Sequence, residues 1–388
     1  MKSPLSITFI LSILSIFLGS CSTLRDDQFN EPSNSTWIYS TAEKEGINQL
    51  VIDSIHNEIS DGKYGFVDHF LLIKNGKIIA DQHYKHDYDS IMKLYDTTNY
   101  QYNYDHTDWH PYYNQSELHT LQSVTKSITS LIVGIAFDKG FISDINSPIL
   151  PYFSDFTIDP IDSIKSQISI EDLLLMQSGI EWDEESYDEA TNSCVIMEAS
   201  NNWIQYVLNQ PMDATPGTVF EYNSGASILL GKIVREATGK RIDKWAEEKL
   251  FKPLGITNYY WKKTPTGEID TEGGLYLTPH DLAKIGYLIM NDGKWDNEQI
   301  ISNSWIKKSI EPNDGFFEQI KYGYQWLIPS HENGQPKIIA GNGYGEQYVM
   351  MSPEHDLLVV FNGWNHHDNP EKSTWNVLQN RIIPSILK

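Results

Sequence analysis

Ser123 and Lys126 lie three residues apart at the start of the apolar segment SVTKSITSLIVGIAFDKG. Residues at positions i and i+3 share one helix face, so the lysine can reach the serine hydroxyl. The helix dipole disfavours a cation at this end, and the apolar stripe that follows draws Lys126 toward the core. Because burial disfavours charged lysine, we expect Lys126 to accept or relay a proton. The pair predicts an activated nucleophile, Ser123, with free helix N–H groups nearby to stabilise an oxyanion.

The spacing Ser-x-x-Lys is weak evidence by itself, because it begins at five serines of this chain: Ser60, Ser90, Ser123, Ser304 and Ser385. Of these, Ser123 alone opens a long apolar helical pattern, so its context selects it. The alternative interpretation is structural: Ser123 would be an ordinary N-cap, and Lys126 would extend to solvent.

A second candidate group is Tyr222-Asn223-Ser224, which follows the turn residues Pro216-Gly217 and precedes another apolar helix. A phenol near an ammonium group ionises more readily, so Tyr222 is expected to act as a general base. Ser224 could donate to the substrate or shuttle the proton. A structural tyrosine in a turn is the alternative for Tyr222.

The elements around these residues predict an α+β fold. FLLIKNGKIIADQHY indicates two strands joined by a type I′ turn at Asn75-Gly76. Helical patterns cover residues 41–60, 279–291 (with Thr278 as N-cap) and 371–387, and helices dominate residues 123–310. Residues 84–120 are taken as a long loop near the site. QYVMM and LLVVFNG are the last strands. We therefore expect an antiparallel sheet built from both chain ends and flanked by helices, with a helical lobe inserted.

With both stretches in view, the chain resembles the penicillin-recognising serine hydrolases. This superfamily includes class C β-lactamases, D-Ala-D-Ala carboxypeptidases, related esterases and aminohexanoate-dimer hydrolases. The segments that carry the resemblance occur in order: SVTKSITSLIVG, LLLMQSGIEW, PGTVFEYNSG, LFKPLGI, GGLYLTPHDLAKIG and YGYQW. The resemblance implies a serine β-lactamase/transpeptidase-like fold and an acyl-enzyme mechanism. In that mechanism Ser123 attacks a carbonyl while Lys126 and Tyr222 handle its proton.

Two departures from the family pattern bear on the substrate. The family places Lys or His, any residue and then Gly on a strand, but here Ala340-Gly341-Asn342 fills the triplet, and Lys337 lies three residues away. Ser224 stands where the tyrosine motif usually has Asn. The resemblance assigns substrate and oxyanion contacts to Asn223, Ser224, Gly341, Asn342 and Gly343. Loss of the strand cation, which binds substrate carboxylates, favours an esterase or small-amide hydrolase.

The N-terminus indicates export. Residues 7–18 are apolar, too short to cross a bilayer but typical of a signal peptide. Leu18-Gly19-Ser20-Cys21 resembles a bacterial lipobox, which predicts lipidation of Cys21. We expect residues 1–20 to be a signal peptide, 21–40 a flexible tether and 41–388 the hydrolase domain, anchored by lipid in the cell envelope. An ordinary signal peptide with a chance cysteine is the alternative.

The composition of the chain limits the binding partners and cofactors that can be expected. The net charge of −23 argues against nucleic acid, whose phosphates require a basic face. Cys21 and Cys194 are the two cysteines, so lipidation of Cys21 would leave Cys194 without a disulfide partner. The sequence contains no HExxH motif and no Cys/His cluster of the kind that binds metals. We therefore expect neither a metal nor another cofactor. The expected partners are a small ester, amide or peptide and a membrane, with the oligomeric state undetermined. The open alternatives are a D,D-carboxypeptidase or β-lactamase, and a non-catalytic envelope binding lipoprotein.

Overall fold

A nine-stranded sheet forms the centre of the protein in a computed structural model, which describes residues 37–93, 117–158, 163–185, 191–329, 337–366 and 370–387. The strand order is β1-β3-β2-β14-β13-β12-β11-β10-β9. The bounds are β1 Ile38–Tyr39, β2 Val67–Lys74, β3 Lys77–His83, β9 Asn313–Phe317, β10 Ile320–Tyr322, β11 Leu327–Pro329, β12 Ile339–Gly343, β13 Gln347–Ser352 and β14 Leu357–Gly363. Strands from both chain ends therefore meet in one sheet, as the sequence predicts.

The predicted hairpin between β2 and β3 is confirmed. Asn75 and Gly76 both have positive φ, 53° and 71°, which is the backbone that a type I′ turn requires. β2 then pairs with β14, and its buried residues face the core. One correction concerns the sheet itself. It is mixed and not purely antiparallel, because β1 runs parallel to β3.

Two smaller sheets are present among the described residues. The first orders β4 (His119–Thr120), β6 (Leu275–Leu277) and β5 (Tyr260–Trp261), and the second pairs β7 (Lys294–Trp295) with β8 (Glu298–Gln299). In the first of these sheets, His119 is paired with Leu277, and the Leu121 N–H donates to the Leu275 carbonyl at 2.9 Å. This pairing holds residues 119–121, which directly precede the segment of Ser123, against the strand that follows Glu272.

Helices pack around the sheet, and most of them belong to the part of the chain between β3 and β9. Their bounds are α1 Gln49–Ser60, α2 Tyr88–Met92, α3 Val124–Asp138, α4 Ile170–Leu174, α5 Ser193–Ala199, α6 Trp203–Asn209, α7 Ser224–Thr238, α8 Ile242–Ala246, α9 Pro279–Met290 and α10 Asn303–Ser309. α3 is buried along nearly its whole length because it packs against α7, α8 and the strands β12 and β13. A helix enclosed in this way holds its first turn rigidly.

Helix boundaries follow local capping. Thr278 accepts a hydrogen bond from the Asp281 N–H and begins α9, as predicted. The predicted helix over residues 41–60 begins later, at Gln49, because Asn48 caps it. The predicted last helix is instead a series of short 3₁₀ and π turns between Thr374 and Ser385, and Pro384 prevents a continuous helix. Of the predicted loop 84–120, residues 94–116 lie outside the described residues.

Candidate active site

A cavity of about 360 Å³ opens at the N-terminal end of α3. It contains the predicted nucleophile and the predicted base, and the strand β12 forms one wall. The residues lining it are Ser123, Ser127, Glu184, Tyr222, Phe316, Tyr322, Gln325, Leu327, Ala340, Asn342, Gly343, Tyr344, Gly345, Glu346, Tyr348 and Asn365. Segments distant in the sequence therefore converge on one site.

Ser123 occupies the N-cap position of α3, but its side chain makes no capping hydrogen bond. The structural interpretation of this serine as an ordinary N-cap is therefore wrong. Gln122, directly before it, has a φ of +46°, a conformation that is strained for any residue other than glycine. Such strain is often found at functional sites, where the surrounding structure enforces it. The Ser123 hydroxyl is consequently left for contacts inside the cavity.

Lys126 is buried, with 1% of its surface exposed, directly behind Ser123. Its ammonium group donates at 2.9 Å to the Ser123 Oγ, to the Glu272 carbonyl oxygen and to the Glu272 Oε2. An ammonium group has three N–H donors, so these three acceptors match its full capacity. The alternative in which Lys126 extends to solvent is excluded by this geometry.

The protonation state of Lys126 differs from the expectation. Burial alone would lower the pKa of Lys126, but the neighbouring Tyr222 and Glu272 raise it well above its ordinary value. The neighbouring acidic groups together outweigh the loss of hydration on which the expectation was based. Lys126 is therefore an ammonium group in the resting site.

Tyr222 lies beside this pair, with the Lys126 Nζ 5.3 Å from the centre of its ring. Burial raises the pKa of Tyr222 above its ordinary value, and the opposing effects of Lys126 and of the contact with Ser123 do not cancel that increase. Lys126 therefore acts on the Tyr222 phenol in the predicted direction, but burial opposes it. Ser123, Lys126 and Tyr222 are brought together as predicted, but both potential bases hold their protons.

Asn223 and Ser224 are buried and serve local structure. The Asn223 Oδ1 accepts from the Ala226 N–H at 2.9 Å and caps α7. The Ser224 hydroxyl donates to the Glu184 Oε1 at 2.6 Å, and its N–H donates to the Glu184 Oε2 at 2.9 Å. Neither residue lines the cavity. Glu184, which both Ser224 groups contact, does line it.

β12 brings its glycines against the start of α3. A Cβ on Gly343 would lie 2.3 Å from the Leu121 carbonyl oxygen, and one on Gly341 would lie 3.1 Å from Val124. Among the described residues β11 pairs with β12 only between Leu327 and Ala340, so the backbone beyond Ala340 borders the cavity. Asn342 and Gly343 line the cavity with Ser123, as the oxyanion assignment requires, and Gly341 packs behind them.

The strand position at which the sequence lacks the family's cation lies beside the cavity. Ala340 lines the cavity, whereas Lys337 donates to the Ile310 carbonyl at 3.1 Å and is not part of the lining. Within the described ranges no Lys, Arg or His lines this cavity, and its charged residues are Glu184 and Glu346. The described lining therefore offers a substrate carboxylate no ion pair.

Glu272 and Glu184 are the functional candidates that the sequence analysis missed. Glu272 is 5% exposed and holds Lys126, while Glu184 also accepts from the Trp182 Nε1 at 2.7 Å. Glu272 directly precedes GGLYL, and Glu184 follows GIEW, two of the segments that carry the family resemblance. Their positions next to these segments were the sequence signal by which the two glutamates could have been found.

One group of side chains has metal-ligand chemistry. Cys194, Glu198 and Glu272 are buried, and one ligand atom from each lies within 4.8 Å of the others. The Lys126 ammonium group already pairs with Glu272, and a metal ion there would be repelled by it. We therefore do not assign these residues as metal ligands. Cys194 is a buried free thiol.

The predicted lipidation site, Cys21, lies outside the described residues, as do the predicted signal peptide and most of the tether. Among the described residues no helix is long and apolar enough to cross a membrane.

Known proteins are similar to this chain in sequence. A family model described as Beta-lactamase matches residues 69–379. The 6-aminohexanoate-dimer hydrolase of Paenarthrobacter ureafaciens is 25% identical over 297 residues, covering 68% of this chain and 70% of that protein.

Solved structures agree at the level of fold. A family VIII carboxylesterase superposes with a TM-score of 0.62 at 17% identity, covering 90% of this chain and 98% of that one. A penicillin binding protein from Bacillus halodurans gives a TM-score of 0.60 at 16% identity, covering 84% and 98%.

Proposed function

Because the chain belongs to the beta-lactamase family, we propose that it hydrolyses a small ester or amide through an acyl-enzyme on Ser123. One observation carries this proposal: Ser123, free of any capping bond, accepts a hydrogen bond from the buried Lys126 in the cavity that Tyr222 lines. A pure binding protein has no need of an activated nucleophile, which argues against a non-catalytic envelope receptor.

The proposed reaction begins when the Ser123 Oγ attacks the substrate carbonyl. The hydroxyl proton passes to the pair formed by Lys126 and Tyr222. Because both groups hold a proton at rest, one proton must first move, and Glu272, 2.9 Å from the Lys126 Nζ, is an adjacent acceptor. Transfer within a buried ion pair yields two neutral groups, which a low-dielectric interior favours more than water does. The proton then returns to the leaving group, and water hydrolyses the acyl-enzyme.

The oxyanion that forms on the carbonyl needs hydrogen-bond donors. We assign them to the N–H groups at the start of α3 and to the β12 backbone near Gly343. Gly343 can approach the start of α3 because glycine has no side chain. A Cβ at this position would collide with the Leu121 carbonyl oxygen.

Small neutral esters should be hydrolysed far better than penicillins, because Ala340 stands where a cation would bind the penicillin carboxylate. A charge-assisted hydrogen bond is worth about 1.5–3 kcal/mol, or roughly ten- to more than a hundredfold in rate. The exchange Ala340→Lys should therefore improve nitrocefin hydrolysis without improving that of p-nitrophenyl acetate. The measurement is kcat/KM for both substrates in both proteins. Rapid nitrocefin hydrolysis by the parent would contradict the ester preference and favour a β-lactamase or D,D-carboxypeptidase.

We also propose that Cys21 carries a lipid that holds the protein in the cell envelope, because it follows Leu18-Gly19-Ser20 after an apolar segment. The exchange Cys21→Ser should move the protein out of the membrane fraction or leave it unprocessed. Fractionation followed by immunoblotting measures this, with Cys194→Ser as the matched control that should stay with the membrane. A Cys21→Ser protein that fractionates like the parent would contradict the anchor.

A further inference from the structure

A second cavity adjoins the active site, and we call it the side cavity. It measures about 350 Å³ and is lined by Phe316, Phe317, Ile320, Leu327, Asn342, Tyr348, Ser373 and Trp375. Phe316, Leu327, Asn342 and Tyr348 also line the cavity that contains Ser123. The two cavities therefore adjoin one another and share a wall that includes Asn342 of β12.

The walls of the side cavity are mostly apolar and aromatic. Trp375 packs against Tyr348 with ring centres 5.5 Å apart, and these rings form one side. Phe316 and Phe317, on the hairpin of β9 and β10, form the other side and are 41% and 67% exposed. Exposed aromatic side chains next to a catalytic cavity mark a surface that gains free energy when an apolar group covers it.

Phe316 connects the two cavities physically. Its ring centre lies 5.2 Å from that of Tyr222, and it borders both spaces. A substrate whose carbonyl reaches Ser123 can therefore extend past Phe316 into the side cavity without leaving the protein surface.

Charge excludes one kind of extension. Across the described linings of both cavities, acidic residues occur and basic residues do not, so an anionic tail would gain no ion pair there. An uncharged hydrocarbon tail meets no such disadvantage. The occupant that fits both observations is an apolar group without a negative charge.

We propose that the side cavity is a subsite for an uncharged apolar substituent, alkyl or aryl, of the substrate that acylates Ser123. The proposal rests on the hydrolase function above and specifies its substrate class: amphiphilic esters or amides with an apolar tail on one side of the scissile bond.

The test compares two ester series. In the first, p-nitrophenol is constant and the acyl chain lengthens from acetate to octanoate; in the second, acetate is constant and the alcohol lengthens. Burying one methylene is worth about 0.8 kcal/mol, so kcat/KM should rise about two- to fourfold per methylene in one series until the subsite is full. The series that rises identifies which side of the bond enters the side cavity.

The variant Phe317→Ala removes a wall that belongs to the side cavity alone and, being exposed, should leave folding intact. It should flatten the rising series while changing acetate hydrolysis less than about twofold. The matched control is Phe141→Ala, an exposed phenylalanine packed against Trp245 that lines neither cavity, and it should keep the parent's chain-length profile. Trp375→Ala should flatten the same series.

The outcomes separate the two proposals. Acetate hydrolysis with no chain-length dependence in either series would overturn the subsite and leave the hydrolase function standing. A rising series that Phe317→Ala and Trp375→Ala both leave unchanged would also overturn it. Absence of hydrolysis for every ester, together with no labelling of Ser123 by a fluorophosphonate, would overturn both proposals.

Discussion

Exchange of Ser123 for alanine should lower kcat/KM for p-nitrophenyl acetate by about 10⁴-fold or more, because the hydroxyl that forms the acyl bond is gone and no neighbouring group replaces it. The free energy of unfolding should fall by about 1–3 kcal/mol, because the buried Lys126 ammonium group loses one of its three acceptors. Spectrophotometric assay of the released p-nitrophenol, with thermal unfolding of the same samples, measures both effects.

The matched control is Ser304→Ala. Ser304 and Lys307 repeat the Ser-x-x-Lys spacing on α10, but Ser304 is exposed and bonds only locally, to Ser302. This variant should retain the parent's activity. Equal losses in Ser123→Ala and Ser304→Ala, or an active Ser123→Ala protein, would contradict the assignment of the nucleophile.

Exchange of Lys126 for methionine should reduce kcat/KM by about 10²–10⁴-fold, the usual contribution of a positioned proton-transfer group. It should also lower the free energy of unfolding by about 3–5 kcal/mol, because the carboxylate of Glu272 is left buried and unpaired. Methionine keeps a similar unbranched shape, so lost packing adds little. Steady-state kinetics and urea unfolding measure the two losses separately.

The double variant Lys126→Met/Glu272→Gln separates stability from catalysis. Removing both charges should restore most of the stability, since no unpaired ion remains, while activity stays at the level of Lys126→Met. Lys284→Met is the matched control. Lys284 is a buried lysine paired with Asp281 at 2.7 Å on α9, and it does not line the cavity. It should lose stability but keep its catalytic constants. Recovery of activity in the double variant would contradict a proton-transfer role for Lys126.

Sequence reasoning succeeded where local patterns carry the information. The apolar helix after Ser123, the turn at Asn75-Gly76 and the cap at Thr278 each depend on residues within a few positions. The nucleophile could be selected among five similar serines because only one of them begins a long apolar helix. The absence of a cation at position 340 could also be seen in the sequence, because the identity of one strand residue, Ala340, decides it.

The protonation states could not be predicted in the same way. Glu272 lies 146 residues from Lys126 in the sequence, and the two meet because β4 pairs with β6. Without that contact, burial and the helix dipole were the known influences on Lys126, and both pointed to a lowered pKa, whereas its neighbours raise it. The place of Asn223 in the structure could not be predicted for a related reason. The residue caps its own helix, and Glu184, from a different segment, occupies the cavity.

The most direct test of the account is to trap the acyl-enzyme. The protein is mixed with p-nitrophenyl acetate, quenched in acid within the first turnover, weighed intact by mass spectrometry and then digested for peptide mapping. We expect one added acetyl group, located on Ser123 and absent from Ser123→Ala. Turnover of the ester with no trapped adduct, or with an adduct on another residue, would contradict it.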